Sequence, residues 1–238
     1  MSQRGIAKFY KDVDVAEAGD AFVVRLDGKP IKTPHRAVLA VPKRALAEAI
    51  TKEWRDQAQI VDPATMPLTR LAYAAIDIAS AHRARLVDEI LAFGRTDLLC
   101  YRAETPAALV ARQAQGWDSL LDWAGERFGA GLATGTGIAF VEQPPESAAA
   151  FAAAVRPCDN FALVGLHGAS SLLGSLVLAL ALLHARLDAS DAYTLSRLDE
   201  TFQAEAWGRD AEAEARAARL ASELQAIERF LMLVGARP

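Results

Sequence analysis

The side chains able to do chemistry in this chain fall into a few small groups. Asp199, Glu200 and Glu205 put three carboxylates on one helical stretch. Paired carboxylates can act as general acid and base, but they need a nucleophile, a second base or a metal to work with. None stands beside them in the sequence. His184 and Asp188 are four apart and would share a helix face, with Asp191 just beyond, a pattern that can hold a cation. Asp191 follows Ser190, however, and helix capping accounts for that pair. The histidines, His35, His82, His167 and His184, form no His-x-x-x-His pair. Gly129, Gly131, Gly135 and Gly137 crowd one loop, as in a phosphate cradle. That loop lacks a Gly-Lys-Ser/Thr ending and a clear preceding strand. Gly168-Ala169-Ser170-Ser171-Leu172 lacks the Gly-x-Ser-x-Gly spacing of an activated serine. Cys100, between Leu99 and Tyr101, reads as buried rather than activated. Structural roles explain each group, so no catalysis, cofactor or metal is expected.

Composition narrows the class further. The chain has 238 residues, 52% of them hydrophobic and 24% charged. That suffices for one large domain or two ordinary ones with buried cores. The net charge of −4 argues against nucleic acid as the main partner, because phosphate neutralisation needs clustered Lys and Arg. Cys100 and Cys158 are too few for a disulfide framework and read as free thiols in a reducing compartment. Residues 1–5 hold no apolar signal core and no long Arg/Ser-rich presequence. The expected setting is the bacterial cytoplasm, or a processed organelle protein.

The elements that must carry these groups change character along the chain. Phe9, Lys11, Val13 and Val15 share one face of an extended stretch, although Lys11 breaks the apolar alternation. Phe22, Val24 and Leu26 alternate cleanly and predict a strand over residues 21–26. Asp27-Gly28 predicts a two-residue type I′ turn. A return strand follows over residues 29–32, limited to an edge by Pro30, and another strand over residues 37–41. Pro42 is expected to open a helix whose stripe is Leu46, Ile50 and Trp54, with a Glu48–Lys52 pair outside. Trp54 is expected to be a structural anchor between this helix and the sheet. Residues 60–67 should be irregular, and Thr69 should cap a second helix to about Ser80. Helices are then expected over residues 82–93, after Pro106, over 144–155, over 161–185, from a Ser190-Asp191 cap to Ala206, and over 209–233. Residues 138–141 read as a short strand or an extended stretch.

Residues 161–183 carry no charge and are long enough to span a bilayer. The run contains Gly165, Gly168, Gly174, three serines and His167, and Asp159 and Asn160 can cap it from outside. No Lys/Arg cluster flanks it to set orientation. A buried core helix is therefore expected, without stable membrane insertion, and its glycines would let neighbouring helices approach. The pattern predicts an α+β fold. A small N-terminal domain over residues 1–85 precedes a larger all-helical domain over residues 86–238.

Mixed aromatic and polar blocks punctuate this layout. Glu53-Trp54-Arg55-Asp56-Gln57 precedes Met66-Pro67-Leu68-Thr69. Thr96-Asp97-Leu98-Leu99-Cys100-Tyr101-Arg102 follows. Leu198-Asp199-Glu200-Thr201-Phe202-Gln203 runs on to Trp207-Gly208. Protein-binding surfaces are often built this way, with aromatics giving contact area and charges giving register. With Phe9-Tyr10-Lys11, Asp27-Gly28-Lys29-Pro30, Lys32-Thr33-Pro34, Ala75-Ile76-Asp77, Gln113, Trp117 and Gln143-Pro144, the blocks occur in an order that resembles one family over nearly the whole chain. That family is ATP synthase F-one complex assembly factor 2, the chaperone family of the ATP synthase α subunit.

The resemblance implies a two-domain assembly chaperone without catalysis or ATP. Its client would be the unassembled α subunit, protected until it pairs with β. It implies a cytoplasmic location for a bacterial protein and the mitochondrial matrix for eukaryotic relatives. Past Gly208 the stretch Arg209-Asp210-Ala211-Glu212 keeps the family's acidic character without its aromatics, which leaves open how far a partner surface extends there. The expected partner-binding residues are Asp199, Glu200, Gln203 and Trp207, an acidic strip ending in an aromatic, with Leu198 and Phe202 turned inward. The rival reading is a small-molecule enzyme with a carboxylate-lined pocket made by the Asp199/Glu200 helix and the glycine loop. A third is a membrane-anchored protein using residues 161–183.

Overall fold

The computed structural model describes residues 6–207 and 211–235, with backbone alone at residues 206 and 207. A two-residue strand, β1 (Ile6–Ala7), comes first, then the hairpin strands β2 (Val13–Ala18) and β3 (Ala21–Leu26). Alternation sets their register, from Val13 opposite Leu26 to Ala18 opposite Ala21. Val24 is fully buried at the centre. Phe9 lies ahead of β2 and is exposed, so it does not share a sheet face with Val13 and Val15.

The Asp27-Gly28 turn forms as its residue types demand, with φ of 47° and 76° and Leu26 opposite Lys29. The return strand β4 (Lys29–Pro30) stops earlier than expected, because Pro30 has no N–H to continue the ladder. β5 (Ala40–Val41) also pairs with β3 and is shorter than the predicted 37–41.

The helix α1 (Arg44–Arg55) starts two residues after Pro42, with Lys43 as its cap, so Pro42 does not open it. Leu46, Ile50 and Trp54 are its buried stripe, and they pack in one apolar cluster with the sheet. The ion pairs along its outer face are Arg44 with Glu48 and Lys52 with Asp56, in place of Glu48 with Lys52. β6 (Ile60–Val61) then pairs with β1, and a 3₁₀ turn at Pro63–Thr65 follows within the stretch expected to be irregular.

α2 (Pro67–Ala74), a π-helical turn at Ala75–Ala79 and α3 (Ser80–Arg95) run end to end, with non-helical backbone at His82. Thr69 does not cap α2. The Glu53 carboxylate of α1 does, accepting from Leu68 N at 2.7 Å, Thr69 N at 2.8 Å and Thr69 Oγ1 at 2.7 Å.

The helical region continues with β7 (Tyr101–Arg102), α4 (Ala107–Phe128), β8 (Gly135–Thr136) parallel to β7, and α5 (Pro145–Val155). Residues 138–141 form no strand, and Ile138 and Phe140 stand in solvent.

The apolar run is two helices, α6 (Asn160–Leu173) and α7 (Leu176–Leu183). Gly174 ends the first in the left-handed region at φ 67°, and the Ser175 hydroxyl caps the second through Leu178 N. The core placement expected for this run holds, but its continuity does not. Among the described residues no helix is long and apolar enough to cross a membrane.

α8 (Ala189–Ser196) is capped by Asp188, which accepts from Asp191 N, rather than by Ser190 or Asp191. Arg197 breaks the helix before α9 (Leu198–Trp207), and α10 (Ala211–Val234) closes the fold. A Cβ on Gly165 would run into Leu231 Cδ2, and one on Gly168 would lie 3.0 Å from Ile227 Cδ1. These two glycines admit α10 against α6, as expected, whereas Gly174 acts as a cap.

The architecture is α+β, a small strand-containing N-terminal region followed by a mostly helical one. Two apolar clusters underlie it. One spans the sheet, α1 and α2 and takes in Phe230 and Val234 of α10; the other joins the helices from Ala75 onward.

Candidate functional site

Two of the three aromatic-polar blocks turn some of their polar groups inward, although Arg55, Asp56 and Thr96 are exposed. In the first, Glu53 caps α2. Gln57 donates to Glu53 O and Thr65 Oγ1 and accepts from Asp62 N. Burial pushes the Glu53 carboxyl up, against the pull of the N–H groups it accepts from.

In the second block Asp97 is fully buried. It accepts from Leu99 N at 3.1 Å and Val177 N at 3.0 Å, so it stitches this segment to the start of α7. Burial pushes its carboxyl up to about 6. Arg102 pairs with Asp118 at 2.8 Å and lies over the Trp117 ring. The charges of Glu53, Asp97 and Arg102 organise helix starts and packing.

The third block is divided. Leu198 is buried, and Phe202 is half-buried under the Arg112 guanidinium, so both turn inward as expected. Asp199 is half-buried and accepts from Gln113 Nε2 at 2.7 Å. Gln113 is itself buried and accepts from Ala103 N at 2.8 Å. Glu200 is exposed and pairs with Arg197 at 3.1 Å. Gln203 is exposed. Glu205 pairs with Arg112 across to α4 at 2.9 Å. The Trp207 side chain lies outside the described residues. Asp199, Glu200 and Gln203 therefore share one stretch of α9, with only Glu200 and Gln203 fully outward.

A larger feature lies in the N-terminal region. The N-terminal region carries an open groove of about 920 Å³. Ile6 and Phe9, the Leu26–Pro34 hairpin, Trp54 and Val61 line it, with Met66, Thr69, Arg70 and Tyr73. Ile6 and Phe9 are each 69% exposed. Trp54 is 9% exposed, edge-on to Tyr10 at 5.6 Å, and Tyr10 Oη donates to Trp54 O at 2.7 Å. Trp54 thus packs in the N-terminal apolar cluster and also lines the groove. Its Nε1 is buried with no acceptor among the described residues. Burial and, after it, the nearby Asp77 push the Tyr73 hydroxyl up to about 12, so it stays neutral.

Sequence reading missed this groove. The sequence pattern makes Phe9 a face-mate of Val13 and Val15, and Pro30 the mark of an edge strand; neither reading points to a groove.

The groups first weighed for chemistry sit in structural settings. Burial holds the Cys100 thiol up at about 12, far from a reactive thiolate. His184 packs edge-on against Trp123 and Phe128, and burial and then Arg127 push its pKa down. Among the described residues no group of three or more His, Cys, Asp or Glu is placed to hold a metal. The hollow beside α9 is lined by Leu198, Thr201, Arg112, Gln115, Gly116, Thr194 and Leu195, without Asp199, Glu200 or a glycine of the 129–137 loop.

Residues 7–125 match the family model described as ATP12 chaperone protein. The crystal structure of Atp12 from Paracoccus denitrificans is similar at a TM-score of 0.92 and 42% identity, over 96% of this chain and 98% of that one. A point mutant of P. denitrificans Atp12p gives a TM-score of 0.93 and 41% identity, over 96% and 97%. The mitochondrial protein atp12 of Schizosaccharomyces pombe is 24% identical over 220 residues, 87% of this chain and 76% of its own length.

Proposed function

We propose, because the chain belongs to the ATP12 chaperone family, that it holds the unassembled α subunit of the F-type ATP synthase until β takes its place. The resemblance carried by the ordered motifs is borne out at the level of the family and of chaperoning in ATP synthase assembly. The choice of α as client is the finer step. In the finished ring α buries large faces against β, and the free subunit exposes them to aggregation. A binder of free α lowers the aggregating population by mass action and must bind more weakly than β does.

The observation that supports this reading most is the open apolar groove beside Trp54, a surface suited to covering another protein's apolar side chains. Asp199, Glu200, Gln203 and Trp207 are proposed as a second, polar contact with the client. The chain would work where α is made, in the cytoplasm of a bacterium.

The test is co-expression of this chain, tagged, with the α subunit of the same organism. The expected result is a soluble complex of the two without β, from which added β displaces the chaperone. If α aggregates to the same extent with and without this chain, the reading is wrong.

A further inference from the structure

We infer that the N-terminal groove takes an amphipathic segment of the client, apolar on one face and flanked by carboxylates. The inference rests on the chaperone reading above and adds the chemistry of what the groove recognises.

The apolar requirement comes from the mouth of the groove. Ile6 and Phe9 stand 69% exposed there, and Trp54, Val61 and Met66 continue the apolar lining inward. Apolar surface of this kind, contiguous and rimmed by charge, is stabilised when another apolar face covers it.

The charge requirement comes from the rim. Lys29, Lys32 and Arg70 line the groove and are exposed, and none makes an ion pair among the described residues. Asp27 is the one carboxylate in the lining. It accepts from Lys11 N at 3.0 Å and Asp12 N at 2.8 Å, so its charge is already engaged by backbone donors. Asp77 lies nearby, bonded to Thr33 Oγ1 at 2.6 Å and to His35 N at 3.1 Å. A cationic rim on a chain of net charge −4 favours an acidic partner and disfavours a basic one.

The mode of contact follows from the prolines. Pro30, Pro34 and Pro63 line the groove and offer no N–H, so an added β-strand would find a broken ladder. Recognition then falls to side chains seated among Phe9, Trp54 and Tyr73, as when an amphipathic helix lies in a groove.

Two variants of the full chain test this: Phe9→Ser, and the triple Lys29→Glu, Lys32→Glu, Arg70→Glu. All four residues are exposed, and melting curves establish that each variant folds. Two probes are used, the full-length α subunit and a labelled amphipathic peptide with Glu flanking its apolar face, alongside the same peptide with Lys for Glu. Wild type is expected to bind the Glu peptide, more weakly as salt rises, and to ignore the Lys peptide. Each variant should lose about tenfold or more for both the Glu peptide and α.

If wild type holds α and both variants hold it equally well, the groove inference is overturned and the chaperone reading stands. If wild type ignores α yet binds the Glu peptide with the expected variant losses, the choice of α falls and the groove chemistry stands. Equal binding of the Lys peptide overturns the inference. So does a concentration-dependent dimer that the variants dissociate in the absence of peptide binding, since the groove would then be a contact between copies of this chain.

Discussion

At the centre of the helical region a carboxylate is sealed away from water and fully served. Asp97 accepts from Leu99 N and Val177 N, and the joint between α6 and α7 is built around it. At the margin of the N-terminal region the pattern reverses. There an indole N–H is buried without an acceptor among the described residues, while Ile6 and Phe9 stand in solvent close by. The helical region closes tightly where α10 meets α6 over bare glycines, although Ser170 Oγ is buried there without a partner among the described residues and Ile138 and Phe140 stand in solvent. The N-terminal region leaves apolar surface uncovered. A large uncovered apolar surface beside a well-anchored core is what a protein-holding surface requires. On the proposed reading, contact falls to the N-terminal groove and rigidity to the helical region.

The largest effect that would break this contrast is expected at Trp54. It anchors α1 to the sheet cluster and lines the groove at once. Trp54→Arg removes a packed ring and leaves a charge beside apolar neighbours, at a cost of about 3–5 kcal/mol. Urea unfolding should show that loss before any capture assay is informative. A variant that unfolds like wild type would make Trp54 a surface contact only, and the N-terminal core would then need another anchor.

Asp97 sharpens the other side. Asp97→Ala orphans two buried backbone donors and is expected to cost about 2–4 kcal/mol at pH 4. The pH dependence has a definite sign. Burial raises the folded-state pKa to about 6 from 3.8. The contribution of Asp97 is therefore complete below about pH 4 and is lost as the pH rises through about 6. The stability gap between wild type and variant should narrow over that interval in denaturation series. A gap that widens toward neutral pH would mean that the helix start holds the ionised carboxylate, and that the N–H donors outweigh burial.

These two residues also show how far sequence reading reached. Trp54 was legible because Leu46, Ile50 and Trp54 share one helix face, and local spacing alone fixes that. The Asp27-Gly28 turn was legible for the same reason. Asp97 stood out in the sequence as a member of the Thr96–Arg102 block, not as the organiser of a joint eighty residues away. Glu53 likewise caps a helix that begins beyond an intervening loop, and it displaces Thr69 from that role. Periodicity over residues 161–183 gave burial correctly. It could not place the break, which depends on Gly174 taking positive φ where the Asp97 segment meets the chain. The groove was hidden because hairpin, β1 and α2 build it jointly, and no one segment carries its pattern.

The smallest effect on stability, and the sharpest on function, is expected on α9. Asp199 and Glu200 are neighbours in sequence but not equivalent probes. Asp199 receives the amide of buried Gln113, so Asp199→Lys would leave a half-buried donor unpaired and cost about 1 kcal/mol. Glu200 makes a single pair with Arg197, and its side chain is 61% exposed. Exposed pairs of this kind contribute little, so Glu200→Lys should leave stability within ~0.5 kcal/mol. If the strip touches α, the same reversal places a cation where the client expects an acid. Capture of α should then weaken about tenfold, on the order of 1.4 kcal/mol. Loss of α binding with an unchanged melt would set Glu200 beside the groove as a second contact, on the helical region. Unchanged affinity in a folded Glu200→Lys variant would remove the strip from the client surface. Contact would then belong to the N-terminal region alone, and the division between the two ends of the chain would be complete.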